Sequence, residues 1–185
     1  MRHQVAIGLG SLLLATPAYA EVLAVTPDSF DIEQSVTIDQ PLPRVWDMLR
    51  NPQKWWDKAH TYSENSANLY LDGQATGCFC ERLPGGGSVA HAQILYIQPP
   101  RMIRLSGALG PLQAEAVIGT LTFTLEAEGQ GATRVTVSYV VGGHIRGGAE
   151  AMAPTVDEVL AVQLIGLKSA AEAGLPAPPA APADR

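Results

Sequence analysis

Two cysteines and one histidine lie close together in the middle of this chain, and both residue types commonly carry chemistry. The motif Cys78-Phe79-Cys80 is followed, after a glycine-rich turn, by His91. If that turn closes a regular hairpin, antiparallel pairing places Cys80 opposite His91. The same register places Cys78 opposite Gln93. Because side chains alternate between the two faces of a strand, we expect these four side chains to share one face.

Three kinds of chemistry suit this cluster. The two thiolates and the imidazole of His91 form a ligand set for zinc or copper, with His60 as a fourth ligand. A disulfide between Cys78 and Cys80 would need a bulge, because residues two apart on a regular strand lie about 6.6 Å apart, near the far limit for that bond. Alternatively, the cysteines are small buried apolar residues and His91 is a hydrogen-bonded core histidine. We expect the last arrangement, because a Cys-x-Cys pair on a strand lacks the loop geometry of ordinary zinc sites.

Other polar side chains are candidates for binding or proton transfer. His60 and Tyr62 follow a double tryptophan and are expected at the mouth of a cavity, although His60 equally suits a cap on the preceding helix. Glu81 with His91 would make an acid/base pair. On a regular strand, however, Glu81 faces away from Cys80 and its neighbours, which argues against that pair.

The elements that must position these residues follow from the hydrophobic pattern. A first strand is predicted over 30–38, followed by two short helices, one beginning near Pro43 and one holding Trp55 and Trp56. Turn residues separate six further β-like segments: 62–71, 77–83, 88–97, 102–109, 116–126 and 133–141. From Met152 the apolar spacing becomes helical, and Thr155–Glu158 has the form of a capping box.

This order of elements predicts an α+β fold. A long C-terminal helix with one apolar stripe must bury it, and the inner face of the antiparallel sheet is the only large apolar surface available. We therefore expect a helix-grip, in which a bent antiparallel sheet wraps around the long C-terminal helix and two short helices follow the first strand. Gln163 lies in the middle of the stripe, so its amide needs an interior partner: a ligand, a strand carbonyl or Tyr139.

Four parts of the sequence carry a family resemblance: Pro43-Arg44-Val45-Trp46, Asn51-Pro52 with Trp55-Trp56, Gly107–Leu112 and Val156–Lys168. With these motifs, nearly the whole domain resembles the SRPBCC superfamily, which includes START-like lipid carriers and polyketide cyclase-like proteins. The resemblance implies an internal cavity that its members use for transport, sensing or chemistry. It transfers no catalytic residue to this chain.

The two ends of the chain predict export and a single domain. Residues 1–20 have the pattern of a signal peptide, with Arg2, an apolar run and the small-x-small site Ala18-Tyr19-Ala20. We expect cleavage after Ala20 and a location in the periplasm or outside the cell. The apolar run is shorter than the ~20 residues of a membrane span, so no transmembrane segment is expected in the mature protein. Residues 21–29 form a lead-in, 30–173 the domain, and 174–185 a disordered Ala/Pro-rich tail.

The net charge and the family resemblance together indicate the expected function. A formal net charge of −6 leaves no basic surface for nucleic acid. We expect an exported binding or carrier protein that holds a small hydrophobic molecule in an internal cavity and requires no cofactor. The alternatives are a polyketide cyclase-like enzyme with acid/base residues in the cavity, and an interaction domain without a ligand. The cavity candidates are His60, Tyr62, Cys78, Cys80, His91, Gln93, Tyr139 and Gln163.

Overall fold

One open antiparallel sheet and one long helix make up most of the protein, in a computed structural model that describes residues 20–173. The strands are β1 (Ala20–Thr26), β2 (Ser29–Ile38), β3 (Leu69–Leu71), β4 (Cys78–Arg82), β5 (Ser88–Gln98), β6 (Met102–Ser106), β7 (Ala116–Glu128) and β8 (Ala132–His144). The helices are α1 (Leu42–Leu49) and α2 (Ala149–Glu172). The strands lie in the order β1-β2-β8-β7-β6-β5-β4-β3. The signal-peptide prediction, except for Ala20, and the tail prediction for 174–185 lie outside the described residues.

The central strands show the alternation that the sequence predicted. In β8, Val135, Val137, Tyr139 and Val141 are buried, while residues between them are half-buried or exposed. Helix α2 also has a buried side, which includes Leu160, Leu164 and Leu167. The helix packs mainly against β1, β2 and α1. The helix-grip prediction is confirmed.

Strand β5 departs from regular pairing twice. His91 is an extra residue between the pairs Phe79↔Ala92 and Cys80↔Ala90 that join β5 to β4. Leu95 is an extra residue in the pairing of β5 with β6. Each extra residue is a β-bulge, which bends the strand and increases its twist. The sheet therefore changes direction at the strand that carries His91.

The elements differ from the sequence prediction in three places. The segment 21–29, expected as a lead-in, contains most of strand β1, which pairs with β2. Of the predicted strand 62–71, only Leu69–Leu71 is a strand, because the backbone N–H groups at its start bond to a side chain instead of a neighbouring strand. Helix α2 begins at Ala149, and Pro154 lies inside it on the exposed face. The capping box at Thr155 therefore does not form.

The short helical region after β2 brings the tryptophans into the core. Helix α1 buries Val45, Trp46 and Leu49. In place of the second helix, one 3-10 turn, Pro52–Lys54, precedes Trp55 and Trp56, both of which are buried. The rings of Trp56 and Phe79 pack with their centroids 5.2 Å apart. Neither helix in the range 20–173 is both long and apolar enough to cross a membrane.

Candidate functional site

A cavity of about 440 Å³ lies between the N-terminal half of α2, the non-strand segments 56–62 and 109–111, and His91 of β5. Its lining residues are Trp56, Ala59, His60, Thr61, Tyr62, His91, Leu109, Gly110, Pro111, Met152, Thr155, Val156, Val159 and Leu160. We call the three buried residues Trp56, His91 and Leu160 the floor, and the exposed residues His60, Tyr62, Pro111 and Thr155 the mouth. None of the lining residues is Lys, Arg, Asp or Glu. The cavity surface is therefore apolar with a few neutral polar groups.

The bulge at His91 changes which side chains meet. Cys78 pairs with Gln93 as predicted, but Cys80 pairs with Ala90 rather than with His91. Since a shift of one residue reverses which face a side chain occupies, His91 turns away from the cysteines and toward Glu81. Cys78 and Gln93 line a second groove together with Ser106 and Gln113, and His91 borders this groove as well as the cavity. The prediction that Cys80 and His91 share a face is wrong.

The cysteines form a disulfide. The Cα atoms of Cys78 and Cys80 are 5.4 Å apart, closer than on a regular strand, because the bulge interrupts the pairing between Phe79 and Cys80. The expectation of free buried thiols is therefore wrong, and a disulfide offers no thiolates to zinc or copper. Across residues 20–173, no group of three or more His, Cys, Asp or Glu side chains could hold a metal ion. The hypothesis of a site made of Cys78, Cys80 and His91 is contradicted.

A buried carboxylate organises the polar part of the cavity. The side chain of Glu81 is fully buried and accepts hydrogen bonds from the backbone N–H of Tyr62 at 3.0 Å and of Ser63 at 2.6 Å. His91 Nε2 lies 3.0 Å from the same carboxylate. These bonds explain why residues 62 and 63 leave the sheet. They also join the mouth segment to β4 and β5.

The protonation states of this pair follow from its surroundings. Burial alone would raise the pKa of Glu81, but hydrogen bonds from Ser63, Tyr62 and His91 outweigh it and hold the pKa below its ordinary value. Burial lowers the pKa of His91, and the opposing effect of Glu81 does not offset it. At neutral pH Glu81 is therefore ionised and His91 is neutral. Because an ionised carboxylate only accepts hydrogen bonds, the Nε2–H of His91 donates to Glu81.

The other ring nitrogen of His91 is left as a hydrogen-bond acceptor. No group in residues 20–173 donates a hydrogen bond to its Nδ1 atom. In this range, the fully buried polar side-chain atoms that lack a partner belong to Gln40 and Gln53, so Nδ1 is not among them. Nδ1 is therefore not sealed from solvent, and His91 lines both the cavity and the neighbouring groove. The imidazole lies between Phe79 and Tyr62, with ring centroids 5.1 and 5.9 Å away. The floor thus presents one oriented lone pair among apolar groups.

Gln163 holds the mouth segment to α2. It is buried as predicted, but its partners are neither a strand carbonyl nor Tyr139. Its Oε1 accepts from the backbone N–H of Asp57 at 2.8 Å, and its Nε2 donates to His60 Nδ1 at 2.9 Å. With Nδ1 as the acceptor, the ring proton of His60 lies on Nε2. Gln163 does not line the cavity and acts on it by holding the segment that carries His60.

Tyr139 and Gln93 also lie away from the cavity. The Tyr139 hydroxyl donates to the carbonyl of Gly107 at 2.9 Å and accepts from the N–H of Leu109 at 3.1 Å. Burial raises the pKa of Tyr139 to about 12. Gln93 is exposed and bonds to the carbonyl of Thr76. Of the candidates from the sequence, His60, Tyr62 and His91 line the cavity, and their binding of a ligand stays a prediction.

The most informative residue that sequence reasoning set aside is Glu81. Strict alternation along β4 predicted that the side chain of Glu81 faces away from His91. The residue types around position 91 do not indicate the bulge in β5. One available signal was the acid itself, which directly follows the apolar residues Cys78-Phe79-Cys80 and lies three residues before Pro84. A buried acid at such a position needs several hydrogen-bond partners.

Comparison with known proteins agrees with this architecture. CalU16 from Micromonospora echinospora has 18% sequence identity over 86% of this chain and 88% of its own, with a TM-score of 0.55. An uncharacterised protein from Rhizobium leguminosarum has 21% identity over 85% and 99%, with a TM-score of 0.57. None of the curated proteins is significantly similar to this chain. The sequence model described as polyketide cyclase / dehydrase and lipid transport matches residues 29–172. The chain therefore belongs to this family, within the SRPBCC superfamily that its motifs resemble.

Proposed function

We propose that this protein is an exported carrier that holds a small, largely apolar ligand in the cavity beside the N-terminal half of α2. The observation that carries the proposal is the cavity of about 440 Å³, a volume within the roughly 300–1,000 Å³ common for small-molecule sites. Its apolar lining suits a hydrophobic molecule, and family membership supports a hydrophobic ligand. The signal-peptide pattern of residues 1–20 supports export. A filled interior, as in an interaction domain without a ligand, would leave no such space.

Blocking the cavity tests this function. Val159 lines the cavity, and Val162 lies on the exposed side of the same helix. Val159→Trp is expected to weaken binding of the fluorescent probe N-phenyl-1-naphthylamine at least tenfold, because the indole fills the binding space, whereas Val162→Trp should leave binding unchanged. The measurement is a fluorescence titration of delipidated protein.

A second experiment tests export. The full-length chain is expressed in a Gram-negative host, recovered from the periplasm and sequenced from its N terminus, which is expected to be Glu21. A mature protein that begins at Met1 would overturn export. Equal probe binding by Val159→Trp and the wild type would overturn the cavity assignment.

One observation favours a second candidate function, catalysis of proton transfer. His91 is neutral, its Nδ1 is accessible, and its other nitrogen bonds to an ionised carboxylate, which together describe a general base. We expect the wild type to accelerate the exchange of the acetyl protons of 2-acetylnaphthalene in D₂O, as followed by NMR. His91→Phe should abolish the acceleration, and His144→Phe, at an exposed position of β8, should retain it. Exchange at the uncatalysed rate with the wild type would exclude this function for ketones of that class.

A further inference from the structure

The floor of the cavity has a polarity that restricts its ligand. Two of its three residues, Trp56 and Leu160, offer only apolar surface to a ligand. The only polar group of the Trp56 side chain, its indole N–H, already donates to the carbonyl of His60. The third residue, His91, offers the lone pair of Nδ1. The donor of that imidazole is already used by Glu81. A ligand atom that reaches the floor therefore meets an acceptor and no free donor.

The charge of Glu81 also disfavours a negatively charged ligand group at the floor. The nearest ionised group behind the floor is the carboxylate of Glu81, which is fully buried. No Lys or Arg lines the cavity to balance it. An anionic group at the floor would lie near a like charge, away from water and opposite a lone pair, which is strongly unfavourable. A hydroxyl group would donate to Nδ1 and satisfy both groups.

The mouth, unlike the floor, offers a hydrogen-bond donor in addition to the hydroxyl groups of Tyr62 and Thr155. His60 accepts from Gln163 through Nδ1, so its Nε2–H is a donor at the exposed end of the cavity. The cavity therefore offers a donor at the mouth and an acceptor at the floor. This order assigns a direction to a bound molecule.

We propose that the protein selects apolar ligands with a neutral hydroxyl group at their inner end, such as phenols and alcohols, and that His91 Nδ1 is the group that recognises this hydroxyl. The inference rests on the proposed binding function and names its ligand class. It excludes ligands whose only polar group is an inward-facing carboxylate or ether.

Matched naphthalene probes test this selectivity. 2-Naphthol, 2-methoxynaphthalene and 2-naphthoate share one apolar body, but at pH 7 only the first is a neutral hydrogen-bond donor. The wild type is expected to bind 2-naphthol about tenfold more tightly than 2-methoxynaphthalene, the gain of one buried hydrogen bond, and to bind 2-naphthoate most weakly. In His91→Phe the preference for the phenol over the ether should disappear. His144→Phe should retain it. Binding is measured by isothermal titration calorimetry.

A spectroscopic readout protects the test against a variant that fails to fold. In wild-type protein with ¹⁵N-labelled histidine, 2-naphthol should shift the Nδ1 resonance of His91 in the direction of an accepted hydrogen bond, and 2-methoxynaphthalene should not. Equal affinities for phenol and ether, or an unchanged Nδ1 resonance, would overturn the hydroxyl selectivity and leave the carrier function standing. If none of the three probes bound to the wild type, the carrier function itself would fail for ligands of this size.

Discussion

The variant Glu81→Ala is expected to lose about 4 kcal/mol of unfolding free energy. Its carboxylate is the acceptor for the N–H groups of Tyr62 and Ser63 and for His91. Removing it leaves three donors without partners, one of them buried and two part-buried, and a fully buried donor costs on the order of 1–3 kcal/mol. Chemical denaturation measures the loss. Glu126→Ala, at an exposed position of β7, is the control and should change stability by less than about 0.5 kcal/mol.

The pH dependence of stability gives this prediction a second measurement. Because the pKa of Glu81 is lower in the folded protein than in the unfolded chain, its contribution is fully present above the unfolded pKa of about 4.3. It is lost as the pH falls through the lower, folded pKa. Glu81→Ala should therefore lose stability less steeply in this acid range than the wild type. A variant with wild-type stability and an unchanged acid profile would show that the carboxylate does not organise this site.

Gly107→Ala is expected to lose about 3 kcal/mol and to disturb the cavity as well. A Cβ atom at this position would overlap the carbonyl oxygen of His91 and lie 2.6 Å from the Cα of Ala92. Both are backbone atoms of β5, which is held between β4 and β6 and cannot yield easily. Overpacking of this kind costs on the order of 1–3 kcal/mol, which corresponds to a melting temperature lower by roughly 6–12 °C for a domain of this size.

A matched glycine separates this steric effect from the general cost of adding a methyl group to a strand. At Gly142, in β8, a Cβ atom would meet no other atom within 4 Å. Gly142→Ala should therefore melt within about 2 °C of the wild type. Because Gly107→Ala displaces the backbone of His91, it should also weaken binding of N-phenyl-1-naphthylamine. Equal melting temperatures for the two variants would show that β5 moves freely at the bulge.

The features that depend on periodic patterns were predictable from the sequence. The alternation of Val135, Val137 and Tyr139 predicted a half-buried strand, and the stripe from Met152 to Leu167 predicted the long helix. Neither pattern depends on a neighbouring element. The helix-grip follows from them because each apolar face needs a partner of similar size.

The contacts that depend on a one-residue shift in strand pairing were not predictable from the sequence. A regular hairpin places His91 opposite Cys80, whereas the bulge places it beside Glu81. The same bulge brings the cysteines close enough to pair. Gln163 was correctly expected to be buried, but its partners, Asp57 and His60, come from a segment whose course depends on the bonds of Glu81. The sequence thus predicts the frame of the cavity and not its polar contacts.

The two extra residues in β5, His91 and Leu95, also bear on how such a cavity changes in evolution. Substitutions in the lining alter a cavity gradually, by the volume of a side chain. An insertion or deletion in β5 would instead alter the direction of the sheet and exchange inward for outward side chains in a single step. Helix α2 packs mainly on β1, β2 and α1, at the far side of the sheet, and would be little affected. Relatives that differ by one residue in this strand can therefore acquire a new ligand site on an unchanged scaffold.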